Sequence, residues 1–494
     1  MRKVVATKNE ARHKLLSGLN KVADCVVCTI GPSGRNAIIE RPYQSPLKTN
    51  DGVTVANEIY LDDEIEELGG QIVKYATKAT NSKAGDGTTT TTVFLKTLAN
   101  ECFDKINRDI LGEINTMEMK REIEKECDKA VSKIKEKSKK IKTKKELSDI
   151  ASVSMEDREI GDIIAEVLHT VGVDGRVLTE ESLEFKTSYE FVDGSNFNFG
   201  FISPIMANND KGEAEIEKVP ILVTNTKLSS IGQLLNILKI LKDKQQKNLL
   251  IFTESIEKEI IPQINRLKMD TGFNLVIVKT PAGKPEILED IVSICGGQVM
   301  DENLGKKLEE TEILDTGFAQ KIIVNKDETI IVKGAGNPKE SIKNLKEKVK
   351  ISKSEFDKEQ FKKRIGNLSG VIGKINIGAT TESGREYLRL KIEDAVNATR
   401  CAMEEGYIKG AGLTLLEVAE EMKDSILYNT LKSPNEQINK NAGKILEVPE
   451  WVIDPVKVVR SALENACAEV SLLITTDVAI ADKKEKPKDL SFDD

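Results

Sequence analysis

The chain has 494 residues, of which 31% are charged and 39% are hydrophobic, and this composition excludes a disordered or fibrous protein. A chain of this length is too long for one hydrophobic core and predicts about three domains. The formal net charge of -8 gives no overall attraction to nucleic acid or to an anionic membrane. No apolar run reaches the length of a membrane span, and the polar N-terminus has no signal-peptide core, so we expect a cytoplasmic protein.

The first predicted helix contains a C-x-x-C motif. Cys25 and Cys28 fall within or next to a helical pattern of apolar residues that runs from Leu15 to Val27. Since no second cysteine pair has zinc spacing, we expect both thiols to pack in the core, with a redox or metal role as the alternative. The 7 cysteines are scattered and odd in number, which argues for reduced thiols. With only 2 histidines, a histidine-dependent catalytic triad is not expected.

The most informative motif is the segment 84–92, which contains Asp86, two glycines and five consecutive threonines. Apolar residues then recur at four-residue spacing, so the threonines lie near a helix N-terminus, where free N–H groups favour anions. Asp86 alone would repel a phosphate, but Mg²⁺ between the two would be bound by both. The sequence therefore indicates a metal-bound phosphate, and a threonine-rich turn with an Asp cap is the plain alternative.

The later part of the chain changes character twice. Helical patterns dominate to about residue 133, broken by a loop at 29–35 and a turn at 50–54. An α/β module is predicted between about 190 and 370, because short β-type runs there alternate with helical stretches, at 219–223, 248–252 and 274–278. Helices return after Gly378, and the last runs from Val456 to Leu473. The low-complexity tail, 481–494, is expected to be mobile.

Common nucleotide-binding signatures are absent from the sequence. It has no G-x-x-x-x-G-K-[ST] motif, and Gly334-Ala335-Gly336 lacks the third glycine of a dinucleotide fingerprint. Other tight loops occur at 31–34, 51–52 and 410–412, and each by itself is more often a plain turn. Together with Asp86 and Asp394 these loops could supply carboxylates and backbone N–H groups to one site, but the sequence does not show that they converge.

Seven separate stretches, in the same order and at similar spacing, resemble group I chaperonins, the GroEL family. They are Thr29-Ile30-Gly31-Pro32, Asp51-Gly52-Val53-Thr54-Val55-Ala56, Ala84-Gly85-Asp86-Gly87-Thr88-Thr89-Thr90, Gly200-Phe201-Ile202-Ser203-Pro204, Asp394 with Ala398-Thr399-Arg400, Glu404-Glu405-Gly406, and Asp454-Pro455 with Arg460-Ser461-Ala462-Leu463. The resemblance implies a multidomain α and α/β chaperonin fold. Its parts would be a helical equatorial domain (1–133 and 405–494), a small intermediate domain (134–191 and 372–404) and an α/β apical domain (192–371).

The resemblance also assigns roles to individual residues. Asp86 would be the Mg²⁺ ligand, and Asp394 and Asp51 would position or activate the attacking water, although an exposed helix acid is the plain alternative for Asp394. The other nucleotide-binding residues would be Thr29, Ile30, Gly31 and Pro32 along the nucleotide, Gly87, Thr88, Thr89 and Thr90 at the phosphates, and Gly410 and Asp454 at the adenosine end. The substrate groove would be formed by Phe201, Ile205, Met206, Leu235, Leu238 and Ile261, of which Leu235 and Leu238 fit a core role equally by pattern.

The implied function is an ATP-dependent chaperonin that assists folding of non-native polypeptides in the cavity of a homo-oligomeric, heptameric ring. ATP and Mg²⁺ are the implied cofactors, with K⁺ as a candidate. A ring that holds proteins but hydrolyses little ATP is the alternative, and a small-molecule kinase is a more remote one. A co-chaperonin is a weaker expectation, because Asn265 and Arg266 stand where the family has valines.

Several departures from the family pattern lead to further expectations. Asn50 and Ser33 replace lysines, so the phosphate region has less positive charge. Val371 replaces a hinge glycine and restricts the backbone there. Between Gly412 and Asn441 the chain is about thirty residues shorter than the family, in a region that includes ring-to-ring contacts. We therefore expect a single ring or a weakly held pair of rings.

Overall fold

The computed structural model describes residues 3–41, 46–108, 114–173, 175–182, 184–209, 211–257, 259–352, 354–368 and 370–483. The chain forms two compact units. The first unit contains residues 1–173, 179–189 and 375–494, and the second contains residues 174–178 and 190–374. No described helix is both long enough and apolar enough to cross a membrane.

The helices are α1 (Lys8–Val27), α2 (Gly52–Asn57), α3 (Glu64–Ala84), α4 (Thr88–Arg108), α5 (Thr116–Glu136), α6 (Lys144–Met155), α7 (Arg158–Val171), α8 (Leu235–Asp243), α9 (Ile260–Thr271), α10 (Pro285–Cys295), α11 (Lys339–Ile351), α12 (Glu355–Leu368), α13 (Glu382–Glu405), α14 (Leu413–Glu421), α15 (Tyr428–Ala442) and α16 (Val456–Leu473). The strands are β1 (Lys3–Thr7), β2 (Ala37–Ile39), β3 (Leu47–Thr49), β4 (Val177–Glu181), β5 (Ser188–Phe197), β6 (Ala214–Thr224), β7 (Asn248–Thr253), β8 (Asn274–Lys279), β9 (Val299–Met300), β10 (Gly317–Val324), β11 (Thr329–Gly334), β12 (Val371–Ile377), β13 (Tyr407–Lys409), β14 (Ile453–Pro455) and β15 (Val478–Asp482).

The first unit is a helical bundle formed by both halves of the sequence. α1 packs against α3 and α4, and α16 packs against α3, α4 and α5. The core between them contains fully buried apolar side chains such as Leu19, Phe94 and Leu98, which recur at helical spacing. β1 pairs antiparallel with β15, with Lys3 opposite Asp482, so the start of the described chain is bonded to its end. This arrangement explains why sequence-distant segments contribute to one site.

Nine of the described strands form a mixed sheet with the order β4-β12-β5-β11-β10-β6-β7-β8, and β9 pairs with β6 off this path. β6, β7 and β8 are parallel, and helices connect them, whereas β10 and β11 form an antiparallel hairpin. Parallel strands covered on both faces are apolar throughout, and Phe252 of β7 and Ile277 of β8 are fully buried. β4, β5 and β12 carry the chain between the two units.

The main elements agree with the sequence-based predictions. The three predicted strand runs lie in β6, β7 and β8, and the predicted last helix is α16 with the same bounds. The predicted turn at 50–54 is instead the start of the short helix α2, which Asp51 caps. Of the tail predicted to be mobile, residues 484–494 lie outside the described residues. The division into equatorial, intermediate and apical domains stays a prediction.

The expectation that the C-x-x-C motif packs in the core is wrong for Cys25. Residue 25 is exposed, and Cys28, the C-cap residue that follows α1, is half-buried. The reason is helical geometry: Val22, Ala23, Val26 and Val27 occupy the buried face, which leaves residue 25 on the opposite face. The other five cysteines are buried.

Candidate functional site

A cavity in the first unit lies at the N-terminus of α4. It is lined by residues from five segments of the chain: Ile30; Thr49, Asn50, Asp51 and Gly52; Asp86, Gly87, Thr88, Thr89 and Thr90; Ser154 and Glu156; and Tyr387, Leu390, Lys391 and Asp394. Eight of these residues have predicted nucleotide or catalytic roles: Ile30, Asp51, Asp86, Gly87, Thr88, Thr89, Thr90 and Asp394. The cavity therefore brings together most of the residues predicted for the phosphate end of the site.

The five threonines divide into two groups. Thr88, Thr89 and Thr90 line the cavity at the start of α4. Thr91 and Thr92 are fully buried, and their hydroxyls donate to the carbonyls of Gly87 and Thr88. The hydroxyl of Thr29 lies 3.1 Å from that of Thr89, which ties the loop after α1 to the helix start. The first turn of α4 therefore presents hydroxyls and a helix N-terminus to the cavity, a combination that suits a phosphate.

Two glycines allow the close approach of backbone segments around this helix start. Gly87 has a φ of 85°, and a Cβ there would lie 2.5 Å from Cγ1 of Val458. A Cβ on Gly52 would lie 2.8 Å from the Thr89 hydroxyl oxygen. A side chain at either position would thus push α2 or α16 away from the start of α4.

Asp86 and Asp394 carry strongly perturbed carboxyl groups. Burial raises the pKa of Asp86 to about 6, with a smaller contribution from Asp51, although the Gly87 N–H and the Ser154 hydroxyl donate to its two oxygens at 2.5 and 3.3 Å. Burial also raises the pKa of Asp394 well above its usual range, and repulsion from Asp86 and Asp51 adds to the effect. Carboxylates that destabilise one another in this way favour a cation between them.

Asp51 lines the cavity and also caps the N-terminus of α2. Its carboxylate accepts hydrogen bonds from the backbone N–H groups of Val53 and Thr54 at 3.2 and 2.9 Å, as the N-cap of α2. Capping holds this carboxylate in one orientation, with lone pairs left over for a water or a cation.

Sequence reasoning missed an ion pair in the cavity wall. Nζ of Lys391 lies 3.0 Å from Oε1 of Glu156, and the Lys391 side chain is almost fully buried. Helical spacing could have identified Lys391, because it precedes Asp394 by one turn of α13 and shares its face. Nothing in the sequence marks Glu156 or Ser154, which follow or end α6 and reach the site only through tertiary packing.

Five predicted nucleotide residues lie outside the cavity lining: Thr29, Gly31, Pro32, Gly410 and Asp454. Gly31 and Pro32 belong to the loop whose Thr29 contacts Thr89, and Gly31 packs beside Ile438. Gly410 is next to Asp454, whose pKa burial raises to about 6, with Asp86 as a further cause. The backbone N–H groups of residues 411 and 412 donate to the Asp454 carboxylate. The role of Gly410 and Asp454 at the adenosine end stays a prediction.

The side chains of the cavity fit a hard divalent cation shared with a nucleotide. Within the described residues, no three His, Cys, Asp or Glu side chains are close enough to hold a metal ion by themselves. Mg²⁺ in proteins is commonly held by one or two carboxylates with water and substrate phosphates, and the oxygens of Asp86 and the threonines beside it match that donor set.

The predicted substrate residues of the second unit differ in exposure. Ile205 and Leu235 are exposed, and Ile261 is half-buried. Phe201, Met206 and Leu238 are buried in the core, and the sulfur of Met206 accepts a hydrogen bond from the N–H of Ile277. These three side chains offer little surface to a client in this conformation, and their place in a client-binding groove stays a prediction.

The comparisons with known proteins identify the family. The family model of the TCP-1/cpn60 chaperonin family matches residues 22–281, more than half of the chain. The chain belongs to the TCP-1/cpn60 chaperonin family. This chaperonin also resembles solved structures of chaperonin gp146 from bacteriophage EL 2 (Pseudomonas aeruginosa), crystallised in the presence of ATP-BeFx. Crystal form II matches with a TM-score of 0.64 and 18% identity over 97% of this chain and 100% of that one. For crystal form I the values are 0.61, 19%, 97% and 99%.

Family membership confirms three of the sequence-based predictions: the family, the fold class and the class of function. The chain is a divergent chaperonin 60 relative with the multidomain α and α/β chaperonin fold, and the structural similarity to gp146 supports the same fold. The predicted class of function, an ATP-dependent chaperonin, is confirmed with it.

Proposed function

We propose that this chaperonin binds Mg²⁺ and ATP in the cavity at the N-terminus of α4, hydrolyses the ATP, and uses that cycle to assist the folding of non-native polypeptides. The observation that carries the proposal is the convergence of Asp51, Asp86 and Asp394 on the threonine-lined start of α4. Three carboxylates beside an anion-binding helix end make chemical sense when a cation and a phosphate complete the site.

The phosphates would lie against the first turn of α4. The backbone N–H groups of that turn, the hydroxyls of Thr88, Thr89 and Thr90, and the ammonium of Lys391 are the donors available there. Lys391 is the one lysine among the residues of the cavity lining. It would therefore supply positive charge to the phosphates in place of the family lysines that Asn50 and Ser33 replace. The Thr29 loop would bind the nucleotide next to this turn, because Thr29 contacts Thr89.

Asp86 would hold the Mg²⁺ ion, with water and phosphate oxygens as its other ligands. When bound, Mg²⁺ would neutralise phosphate charge during transfer. Asp86 must be ionised to act as a ligand, so binding would release the proton that its raised pKa retains near pH 6. The N–H of Gly87 and the hydroxyl of Ser154 keep its two oxygens directed during that change.

Asp394 would be the general base. One of its carboxylate oxygens accepts a proton from water while the water oxygen bonds to the γ-phosphorus and the bond from that phosphorus to the ADP oxygen breaks. Burial raises the pKa of Asp394 well above its usual range, and a higher pKa makes the carboxylate a stronger base once a bound cation has favoured its ionised form. Asp51, fixed as the cap of α2, would accept the second hydrogen bond of the same water.

Client polypeptides would be bound by exposed apolar side chains of the second unit. Leu235 begins α8. Four residues earlier, the Ile231 N–H donates a hydrogen bond to the side-chain oxygen of Gln263 on α9 at 3.2 Å. Nζ of Lys268, also on α9, donates to the carbonyl of Ile205 at 3.4 Å. Ile205, Leu235 and α9 with its half-buried Ile261 are therefore neighbours, and flexible apolar groups of this kind suit partners without a fixed shape.

A homo-oligomeric ring is supported by two small sheets with apolar exposed faces. In the β1–β15 pair Val5 lies opposite Ile480, and both are exposed, as is Ile38 in the β2–β3 hairpin. Within the described residues each of these sheets has two strands, and such short pairs are marginal unless they are covered. We propose that neighbouring subunits cover them, that the ring is heptameric, and that the shortened 412–441 region limits the assembly to one ring. The 7 unpaired cysteines support a reducing, cytoplasmic location.

The decisive experiment measures steady-state ATP hydrolysis and refolding of a chemically denatured client by the purified protein, with Mg²⁺ and with or without K⁺. We expect Mg²⁺-dependent hydrolysis and a refolding yield that requires it. Client capture without hydrolysis would instead support a holdase, and phosphate transfer to a small molecule would support a kinase. Native mass tests the ring: seven chains of 54.6 kDa give about 382 kDa and fourteen about 764 kDa.

A further inference from the structure

The C-x-x-C motif is not used by the proposed function, yet it lies next to the nucleotide loop. Cys25 is exposed on α1, and Cys28, the C-cap of that helix, is half-buried. Thr29, the next residue, begins the loop that reaches Thr89 in the cavity wall. Two accessible thiols are therefore found at the point where α1 becomes part of the site.

The backbone at Cys25 and Cys28 has the spacing that a disulfide needs. Cys28 keeps right-handed helical dihedral angles, φ -69° and ψ -12°, so residues 25 and 28 are one helical turn apart. Helix geometry places such Cα atoms about 5 Å apart, which is within the range that a disulfide spans. The Cys28 Sγ–H donates to the carbonyl of Cys25 at 3.1 Å, so its sulfur already points back towards residue 25. The Cys25 Sγ–H donates to the carbonyl of Lys21 at 3.4 Å, so the Cys25 side chain rotates towards Cys28 when the bond forms.

Cys28 and the residues beside it hold both ends of the nucleotide loop, residues 29–35. Its carbonyl accepts a hydrogen bond from the N–H of Arg35 at 2.9 Å, and the Thr29 N–H donates to the carbonyl of Val26 at 3.0 Å. The Gly34 N–H donates to the carbonyl of Gly31, which closes the loop. A covalent bond at Cys28 therefore changes the backbone that holds Thr29 in contact with Thr89.

We propose that Cys25 and Cys28 form a thiol switch, which a small-molecule disulfide such as oxidised glutathione converts to an intramolecular disulfide that weakens nucleotide binding. The effect on nucleotide rests on the proposed function. One protein thiolate attacks the small-molecule disulfide and releases one glutathione thiol. The second protein thiolate then attacks the mixed disulfide, forms the Cys25–Cys28 bond and releases the second glutathione. The protein pair loses two electrons and two protons, and the small-molecule disulfide gains both.

The surroundings favour reaction at this pair over the remaining cysteines. Cys102, Cys127, Cys295, Cys401 and Cys467 are buried, and so they are protected from a polar reagent in the folded protein. Partial burial, Cys28 and Asp24 raise the pKa of Cys25, so we expect exchange to be slow and to need an excess of oxidant.

The experiment treats the full-length protein with oxidised glutathione, blocks free thiols, and locates disulfides by peptide mass spectrometry. Binding of a fluorescent ATP analogue is measured before oxidation, after oxidation, and after re-reduction with dithiothreitol. We expect a Cys25–Cys28 disulfide, an analogue Kd about tenfold higher, and full recovery on reduction. Cys25→Ser and Cys28→Ser should each keep the reduced affinity and lose the response, and Cys295→Ala, at a buried cysteine of the second unit, should keep the response.

Two results would overturn the switch: stable glutathione adducts without the Cys25–Cys28 disulfide, or a complete disulfide with unchanged analogue affinity. Failure of the proposed function gives a different pattern, because the reduced wild-type protein would then not bind the analogue. In that case hydrogen exchange of the 29–35 backbone, compared between oxidised and reduced protein, still decides the switch. Unchanged protection there would count against it, and altered protection would support it.

Discussion

Lys391 and Glu156 form an ion pair in the wall of the cavity that contains Asp86, with 3.0 Å between Nζ and Oε1. The two residues come from α13 and from the end of α6, and they are 235 positions apart in the chain (391 − 156). The pair places the lysine beside Asp394, one helical turn away on the same helix. Its two members should act on a bound nucleotide in opposite directions.

We expect Lys391→Met to weaken binding of Mg²⁺ and ATP about fivefold, because the wall of the proposed phosphate cavity loses a positive charge. Glu156→Gln should strengthen binding, since the lysine is released and one negative charge is removed. Lys391→Arg is the matched control and should retain most of the affinity. Isothermal titration calorimetry measures all three. Equal weakening by Lys391→Met and Glu156→Gln, with a common loss of thermal stability, would mean that the pair has only a structural role.

Asp86→Asn should stabilise the nucleotide-free protein at neutral pH while it abolishes Mg²⁺-dependent nucleotide binding. The pKa of Asp86 is raised from 3.8 to about 6, so the folded state favours the protonated form, and ionisation costs stability as the pH rises from about 4 through 6. The stability difference between variant and wild type should therefore rise from about 1 kcal/mol at pH 4.5 to about 3 kcal/mol at pH 7.5. Thermal unfolding at both pH values measures it.

The matched control for this prediction is Asp62→Asn, at an exposed aspartate outside the cavity lining. It should leave both stability and nucleotide binding unchanged. An Asp86→Asn protein that is less stable than the wild type at pH 7.5, or that still binds Mg²⁺ and ATP normally, would contradict the assigned role.

Sequence patterns predicted that residues 86–90 stand together at a helix start, and they do so in the cavity wall, because the determinants there are local. An acid, two glycines and a run of threonines before an apolar repeat describe a helix start, and Thr88, Thr89 and Thr90 do line the cavity. The pattern could not separate these from Thr91 and Thr92, whose hydroxyls are bonded within the core. That separation depends on which way the first turn of α4 faces, and packing against α3 and α16 sets this.

Other features depend on tertiary structure and could not be obtained from spacing. Leu235 and Leu238 differ by three positions on one helix, but the first is exposed and the second is buried. Glu156 approaches Lys391 only because α6 packs against α13. Cys25 was assigned to the core from its neighbours, although the buried stripe of α1 passes on the other side of the helix.

Leu235 and Leu238 also provide a matched pair for the client-binding surface. Leu235 is 52% exposed and Leu238 is 8% exposed. Leu235→Ala should reduce capture of a denatured client, and it should leave the free energy of unfolding within about 0.5 kcal/mol of the wild-type value. Leu238→Ala should cost about 2–4 kcal/mol of stability, because it opens a cavity in the core. Light scattering of an aggregating client and chemical unfolding measure the two effects. Normal client capture by a folded Leu235→Ala protein would contradict the proposed surface.

Ile38 tests the proposed subunit contact. Its side chain is 76% exposed in the β2–β3 hairpin, and an aspartate there should disrupt a covered apolar surface while the subunit stays folded. We expect Ile38→Asp to sediment as monomers or small oligomers where the wild type forms rings. Ile351→Asp, at a 79% exposed position at the end of α11, is the control and should assemble normally. Rings of unchanged mass and stability in Ile38→Asp would show that the hairpin is not a contact.

The central claim is that Asp394 activates the water that attacks ATP in the cavity around Asp86. It is tested most directly by single-turnover hydrolysis of ATP by Asp394→Ala, with nucleotide affinity measured on the same sample. Glu393→Ala is the control, since the Glu393 carboxylate accepts bonds from Thr179 and Arg389 and is not part of the cavity lining. We predict that Asp394→Ala binds Mg²⁺ and ATP nearly as well as the wild type but hydrolyses it about a hundredfold more slowly. Hydrolysis at the wild-type rate by the ATP-bound variant would contradict the account.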